Sequence, residues 1–271
     1  MAARRKPRST RARRRRFAAL AVGLGIAPAA VVILLAACLP AVSEPAEPPL
    51  PPVSSRWATT PPPALAVAGA DPSRAPAVDL VDGEWASRVA AATGIPRRAV
   101  IAYAAADLTV AHEQPACAIG WTTLAGIGWV ESHHGSYGRA MLVKSGLVTP
   151  RILGPRLNGE GVGAIEDTDG GSLDGDDQWD RAVGPLQFIP ETWRRWGADG
   201  NADGTRDPNH IDDAALAAAR YLCRSGPLES ETAWRDAVFT YNPLTRYIDD
   251  VATRANEYAR SVSPEKGRPR R

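Results

Sequence analysis

Gly126-Ile127-Gly128-Trp129-Val130-Glu131-Ser132-His133-His134-Gly135 is the most informative run in the chain. Trp121, Leu124, Ile127 and Val130 recur every three residues, a spacing that fits a helix, so the run reads as an apolar helix ending in a carboxylate. Ser132 and Gly135 follow at once and mark its end. A carboxyl group at the end of an apolar wall loses hydration, which disfavours its charged form and raises its pKa. A general acid working near neutral pH requires that property. Spacing alone leaves a second reading open, an ordinary solvated Glu at a helix end.

The flanking residues extend the helical pattern. Asp82 is placed to cap a helix that begins near Glu84 and ends at Thr93-Gly94, and Pro96 suits the first position of the next, through Ile101, Ala104, Ala105 and Leu108. Ala215, Leu216, Ala219 and Leu222-Cys223 show the same spacing. Gly- and Asp-rich stretches separate the helices, and no run alternates well enough to propose a sheet. The expected fold class is mainly α, one domain over residues 80–263 with long loops, followed by a disordered basic tail at 264–271.

Charge divides the chain. The formal total is +2 over 271 residues, yet residues 1–16 hold nine basic groups and no acid, leaving −7 downstream. An apolar content of 44% with eight Trp excludes wholesale disorder. The acidic remainder excludes a general nucleic-acid binder, because phosphate would repel it. Phe17 to Leu39 is uncharged for 23 residues, about 34 Å as a helix, enough to cross a bilayer core of about 30 Å. The basic flank would stay cytoplasmic and everything after Leu39 would lie outside. Two versions stand: an uncleaved signal anchor, or a lipoprotein signal in which Leu35-Ala36-Ala37-Cys38 directs lipidation of Cys38. Residues 40–79 are Pro-rich, with eleven prolines between 40 and 76, and read as a semi-extended spacer holding the domain off the membrane. Cys117 and Cys223 form an even pair in an exported domain, so a bridge is expected; two buried thiols are the alternative. The bridge would close a loop of 106 residues, worth about 4 to 5 kcal/mol in the chain-entropy model.

Four blocks, taken in order, carry a resemblance. Glu131-Ser132 after the apolar helix, Gly184-Pro185-Leu186-Gln187-Phe188-Ile189-Pro190-Glu191-Thr192-Trp193, Asp213-Ala214-Ala215 leading to Ala219-Arg220-Tyr221-Leu222, and Ala237-Val238-Phe239-Thr240-Tyr241-Asn242 together resemble the lytic murein transglycosylases. The closest likeness is to the membrane-bound type B group with its lysozyme-like domain, over about residues 85–258. The resemblance implies that Glu131 is the sole catalytic acid/base. It implies that Gln187 and Phe188 line the glycan groove, and that Tyr241 and Asn242 lie near the Glu. From the residues alone, Phe188 and Tyr241 could equally be core residues and Asn242, before Pro243, the start of a turn.

The implied reaction cleaves the β-1,4 bond between N-acetylmuramic acid and N-acetylglucosamine with 1,6-anhydro ends, at the outer face of the cytoplasmic membrane in a bacterial envelope. Hydrolysis on the same scaffold, or glycan binding without catalysis, are the alternatives. The partners expected are glycan strands and, through the N-terminus, the membrane; protein partners are not legible.

Two acidic loops remain. Asp199-Gly200-Asn201-Ala202-Asp203-Gly204 begins like an EF-hand calcium loop, but His210 stands where position twelve would carry Glu. The type B resemblance implies a longer loop with ligands Asp199, Asn201, Asp203, the Thr205 carbonyl and Asp213; a metal-free Gly-Asp turn is the alternative. No cofactor is expected for the chemistry itself. Residues 160–180 hold eight acids and no base, read either as a solvated loop or as an ion-stabilised groove edge. His133 and His134, being adjacent, point to different faces and are rejected as a zinc pair.

Overall fold

The computed structural model describes Ala66 and residues 71–262. The basic segment 1–16, the span 17–39 with Cys38, most of the Pro-rich spacer and the tail at 264–271 lie outside the described residues. Among those described, no helix is long and apolar enough to cross a membrane.

Among the described residues eight helices form the frame: α1 (Ala77–Leu80), α2 (Gly83–Thr93), α3 (Arg97–Glu113), α4 (Trp121–Ser132), α5 (Pro190–Trp196), α6 (Ile211–Cys223), α7 (Glu231–Tyr241) and α8 (Thr245–Val262). Local signals set their ends. The Asp82 carboxylate accepts from the Trp85 N–H at 2.7 Å, and Gly94 at φ 75° stops α2 while donating to the Ala90 carbonyl. Pro96 sits one position earlier than expected, capping α3 rather than opening it. α3 runs along α6, both rich in buried alanine, which lets the two backbones approach closely; α4 runs along α8. Gly126 serves that second contact, since a Cβ there would lie 2.8 Å from the Val251 carbonyl oxygen of α8. Trp121, Leu124 and Ile127 of α4 are fully buried, each contributing roughly 1.5 to 3 kcal/mol of apolar burial.

Two expectations are corrected. The described residues include four short strands, paired antiparallel as two ribbons: β1 (Met141–Leu142) with β2 (Val148–Thr149), and β3 (Leu153–Arg156) with β4 (Arg181–Val183). At two to four residues each they are too short for alternation to be visible in sequence. The folded part also starts before residue 80. Ala77 and Leu80 of α1 are buried in the core, and the Ala77 N–H donates to the Gly200 carbonyl at 3.1 Å. The Cys117–Cys223 bridge forms with Cα atoms 5.5 Å apart, tying the α3–α4 turn to the end of α6.

Candidate active site

Glu131 lies in the last turn of α4, and the chain then turns sharply through His133 and His134, at φ 51° and 60°, into Gly135. Such a turn persists only when its surroundings fix it. The Ser132 hydroxyl donates to the Pro185 carbonyl at 2.6 Å and accepts from the Gly135 N–H at 2.7 Å. The His134 ring is buried between two phenols, with Nδ1 3.0 Å from the Tyr103 hydroxyl of α3 and Nε2 3.0 Å from the Tyr258 hydroxyl of α8. Burial pushes the His134 pKa down to about 3, so the ring is neutral and one nitrogen donates while the other accepts. His133 is exposed and lies against the Trp129 ring at 4.4 Å. The two histidines diverge, as their adjacency requires.

The Glu131 Oε1 accepts a hydrogen bond of 2.6 Å from the Tyr247 hydroxyl. Burial pushes the Glu131 carboxyl up to about 7, against the opposing pull of that bond. Glu131 therefore holds a proton near neutral pH, as the apolar wall of α4 predicts. Tyr247, in the first turn of α8, was not legible as a site residue, because nothing marks it beyond its place six residues after Tyr241.

The Tyr241 ring stacks on Tyr247 with centroids 6.5 Å apart and planes 6° from parallel. Its hydroxyl donates to the Leu186 carbonyl at 2.7 Å, which joins α7 to the loop before α5. That loop carries Gln187 at φ 47°, its amide donating to the Gly184 carbonyl at 2.8 Å. Gly184 is required there, since a Cβ would overlap the Pro208 carbonyl oxygen. Gln187, Phe188, Ile189, Thr192, Tyr221 and Tyr241 enclose a small cavity. Phe188 is 3% exposed and packs edge-on to both Trp193 and Tyr241, so it braces the cavity wall from the core. Asn242 ends α7, its N–H donating to Val238 and its carbonyl accepting from Leu244. The structure thus links Glu131, Tyr241, Gln187 and Phe188 through Tyr247, and puts Asn242 at the adjoining turn.

In the Asp199 loop the oxygen side chains face the loop's own backbone. Asp199 accepts from the Asp203 and Gly204 N–H groups, Asn201 from Asp203, and Asp203 from Thr205. Asp213, 1% exposed, accepts from Gly200, Asn201 and Asp207, and burial raises its pKa to about 6. Hard oxygen donors around a buried carboxyl are the kind of set calcium takes, so the donor chemistry fits. The three acids whose oxygens lie within 4.8 Å of one another, among the described residues, are instead Asp167, Asp169 and Asp180. Their loop is not merely solvated: Asp174, Asp176 and Asp180 are buried. Asp180 accepts from the Thr168 N–H and hydroxyl, Asp174 from the Arg181 N–H at 2.6 Å, and Asp176 pairs with Arg156.

No curated protein and no solved structure gives a significant match to the chain. A protein-family model described as a transglycosylase SLT domain matches residues 122–269. That match takes in Glu131, the Gln187 loop, Tyr241 and Tyr247, and covers more than half of the chain. A half-buried carboxyl with a raised pKa, beside an aromatic-lined cavity, is thus set inside a matching sequence frame, and the chain belongs to the transglycosylase SLT domain family, whose substrate is peptidoglycan.

Proposed function

We propose that the protein is a lytic transglycosylase of the membrane-bound type B kind that cuts between N-acetylmuramic acid and N-acetylglucosamine and leaves 1,6-anhydromuramic acid ends. The observation that carries this reading is Glu131, a carboxyl held near pKa 7 by burial, with Tyr247 as its hydrogen-bonding partner. Enzymes that use two carboxylates need an acid and a base or nucleophile at a fixed separation. One group suffices if the substrate supplies the rest. Protonated Glu131 gives its proton to the glycosidic oxygen as the C1–O bond breaks, and the sugar's own acetamido group stabilises the positive charge left at C1. Glu131, now ionised and steadied by the Tyr247 hydroxyl, takes the proton of the muramic acid O6 hydroxyl. O6 bonds to C1, and the proton returns Glu131 to its starting state. No water is consumed.

Glu131→Gln cannot donate that proton, and cleavage is expected to fall by roughly 10² to 10⁴-fold while the fold is kept. Mass spectrometry of digested peptidoglycan checks the products: anhydro ends support the reading, and reducing ends would replace it with hydrolysis. The physiological setting that goes with this reading is cell-wall remodelling at the outer face of the cytoplasmic membrane, with residues 17–39 as the tether and Cys38 the lipidated residue if that tether is cleaved. Radiolabelled fatty acid entering the wild type but not Cys38→Ala would assign the lipoprotein form. We also propose that Asp199, Asn201, Asp203, the Thr205 carbonyl and Asp213 hold calcium, which would neutralise the buried Asp213 carboxylate and lock the loop beneath α6. A melting temperature that rises with calcium and falls with chelator is expected; no response to either removes the site.

A further inference from the structure

The row of aromatic rings does not stop at Tyr241. Tyr221 packs edge-on to Tyr241 with centroids 5.8 Å apart, and Trp196 packs edge-on to Tyr221 at 5.7 Å. Tyr221 and Thr192 each line two cavities, the small one holding Gln187 and Tyr241 and a second of about 320 Å³ completed by Glu191, Arg195, Trp196 and Arg224. That volume falls at the lower end of small-molecule sites.

The second cavity holds two guanidinium groups and one carboxylate, and the carboxylate is taken. Glu191 pairs with Arg195 one turn along α5, at 2.5 Å. Arg224 makes no ion pair among the described residues. Its guanidinium lies 4.2 Å from the centre of the Tyr221 ring, and one N–H donates to the Tyr221 carbonyl at 3.0 Å. Tyr221 is itself fixed, its hydroxyl donating to the Thr240 carbonyl of α7 at 3.1 Å. The result is a planar cation of set orientation, open to solvent, with most of its five donors unspent. Guanidinium groups held in this way suit carboxylates, which they bind in a two-pronged fashion.

We propose that this cavity is a subsite for the carboxylate on the 3-O substituent of muramic acid, with Arg224 as the anion-binding residue. The inference rests on the peptidoglycan reading above. Every muramic acid carries a lactyl ether, ending either in a free carboxylate or in a peptide that bears carboxylates of its own. A sugar chain lying along Gln187 and Tyr241 would present such a substituent to the neighbouring cavity, where charge and planarity match it.

The test uses the full chain carrying Glu131→Gln, so that ligands stay intact, with and without Arg224→Gln. Dissociation constants would be measured by calorimetry for three oligosaccharides of equal length: peptide-bearing glycan, glycan stripped of peptide to leave the lactyl carboxylate, and an N-acetylglucosamine oligomer with neither. Adding Arg224→Gln is expected to weaken binding of a carboxylate-bearing ligand about tenfold, with the N-acetylglucosamine oligomer unaffected, and Arg224→Lys should keep part of the affinity. Loss confined to the first ligand assigns the peptide carboxylate, loss confined to the second assigns the free lactyl one, and equal loss with both shows that the site takes either. No loss with either, or the same loss with all three, overturns the subsite. Anhydro-product analysis of the wild type is independent: its failure would remove the reaction and leave the subsite standing.

Discussion

Glu131 and Tyr247 show how one hydrogen bond and one apolar wall divide control of a proton. Burial alone favours the neutral acid, and the Tyr247 hydroxyl favours the carboxylate. Removing the bond by Tyr247→Phe therefore raises the Glu131 pKa further. A rate that needs the protonated acid falls as pH rises through about 7, so the alkaline limb of kcat/KM against pH should move to higher pH in the variant, while the lost stabilisation of the ionised form lowers the maximum rate. A pH–rate profile of both proteins checks this, and an alkaline limb that stays in place or moves down would mean that Tyr247 does not tune the acid. The raised pKa was readable from an apolar helix ending in Glu. Tyr247 was not, because it reaches Glu131 from 116 residues away in the chain.

At the scale of elements, α4 is held at both ends by groups from other helices. Its cap residue Gly120 has no side chain, and the Trp121 N–H is taken instead by the Asp107 carboxylate of α3 at 2.8 Å. Burial raises the Asp107 carboxyl to about 6 while the Trp121 and Gly120 N–H groups oppose it. At the other end, Tyr103 and Tyr258 grip His134 just past the acid. Tyr103 can cross α4 only because position 128 lacks a side chain, since a Cβ there would overlap the Tyr103 hydroxyl. Gly128→Ala should therefore destabilise the domain by about 1 to 3 kcal/mol through overpacking, despite the better helix propensity of Ala. Tyr103→Phe in the same chain should recover part of that loss, since the hydroxyl is the nearest atom. Denaturant titration of the single and double variants checks the coupling, and purely additive effects would refute it. Nothing in the sequence reading singled out Gly128, because the side chain that requires it belongs to α3.

For the whole molecule, the bridge between Cys117 and Cys223 joins the turn that precedes α4 to the end of the helix behind it. Closing 106 residues restricts the unfolded chain by about 4 to 5 kcal/mol in the entropic model. Cys117→Ser with Cys223→Ser should lower the melting temperature by roughly 8 to 20 °C for a domain of this size, as calorimetry would show; an unchanged value would remove the bridge from the stability account. The charge division, the helices α2, α3, α4 and α6, the capping of α2 and the acid at the end of α4 were all legible in the sequence, because each depends on neighbours a few residues apart or on residue type alone, whereas the joining of Cys117 to Cys223 needed the fold. The short ribbons, the buried carboxylates of the 160–180 loop, the Tyr247 partner and the unspent cation of Arg224 were decided only by tertiary structure. Each arises where segments remote in the chain meet, and burial and hydrogen-bond geometry at such meetings leave no period in the sequence.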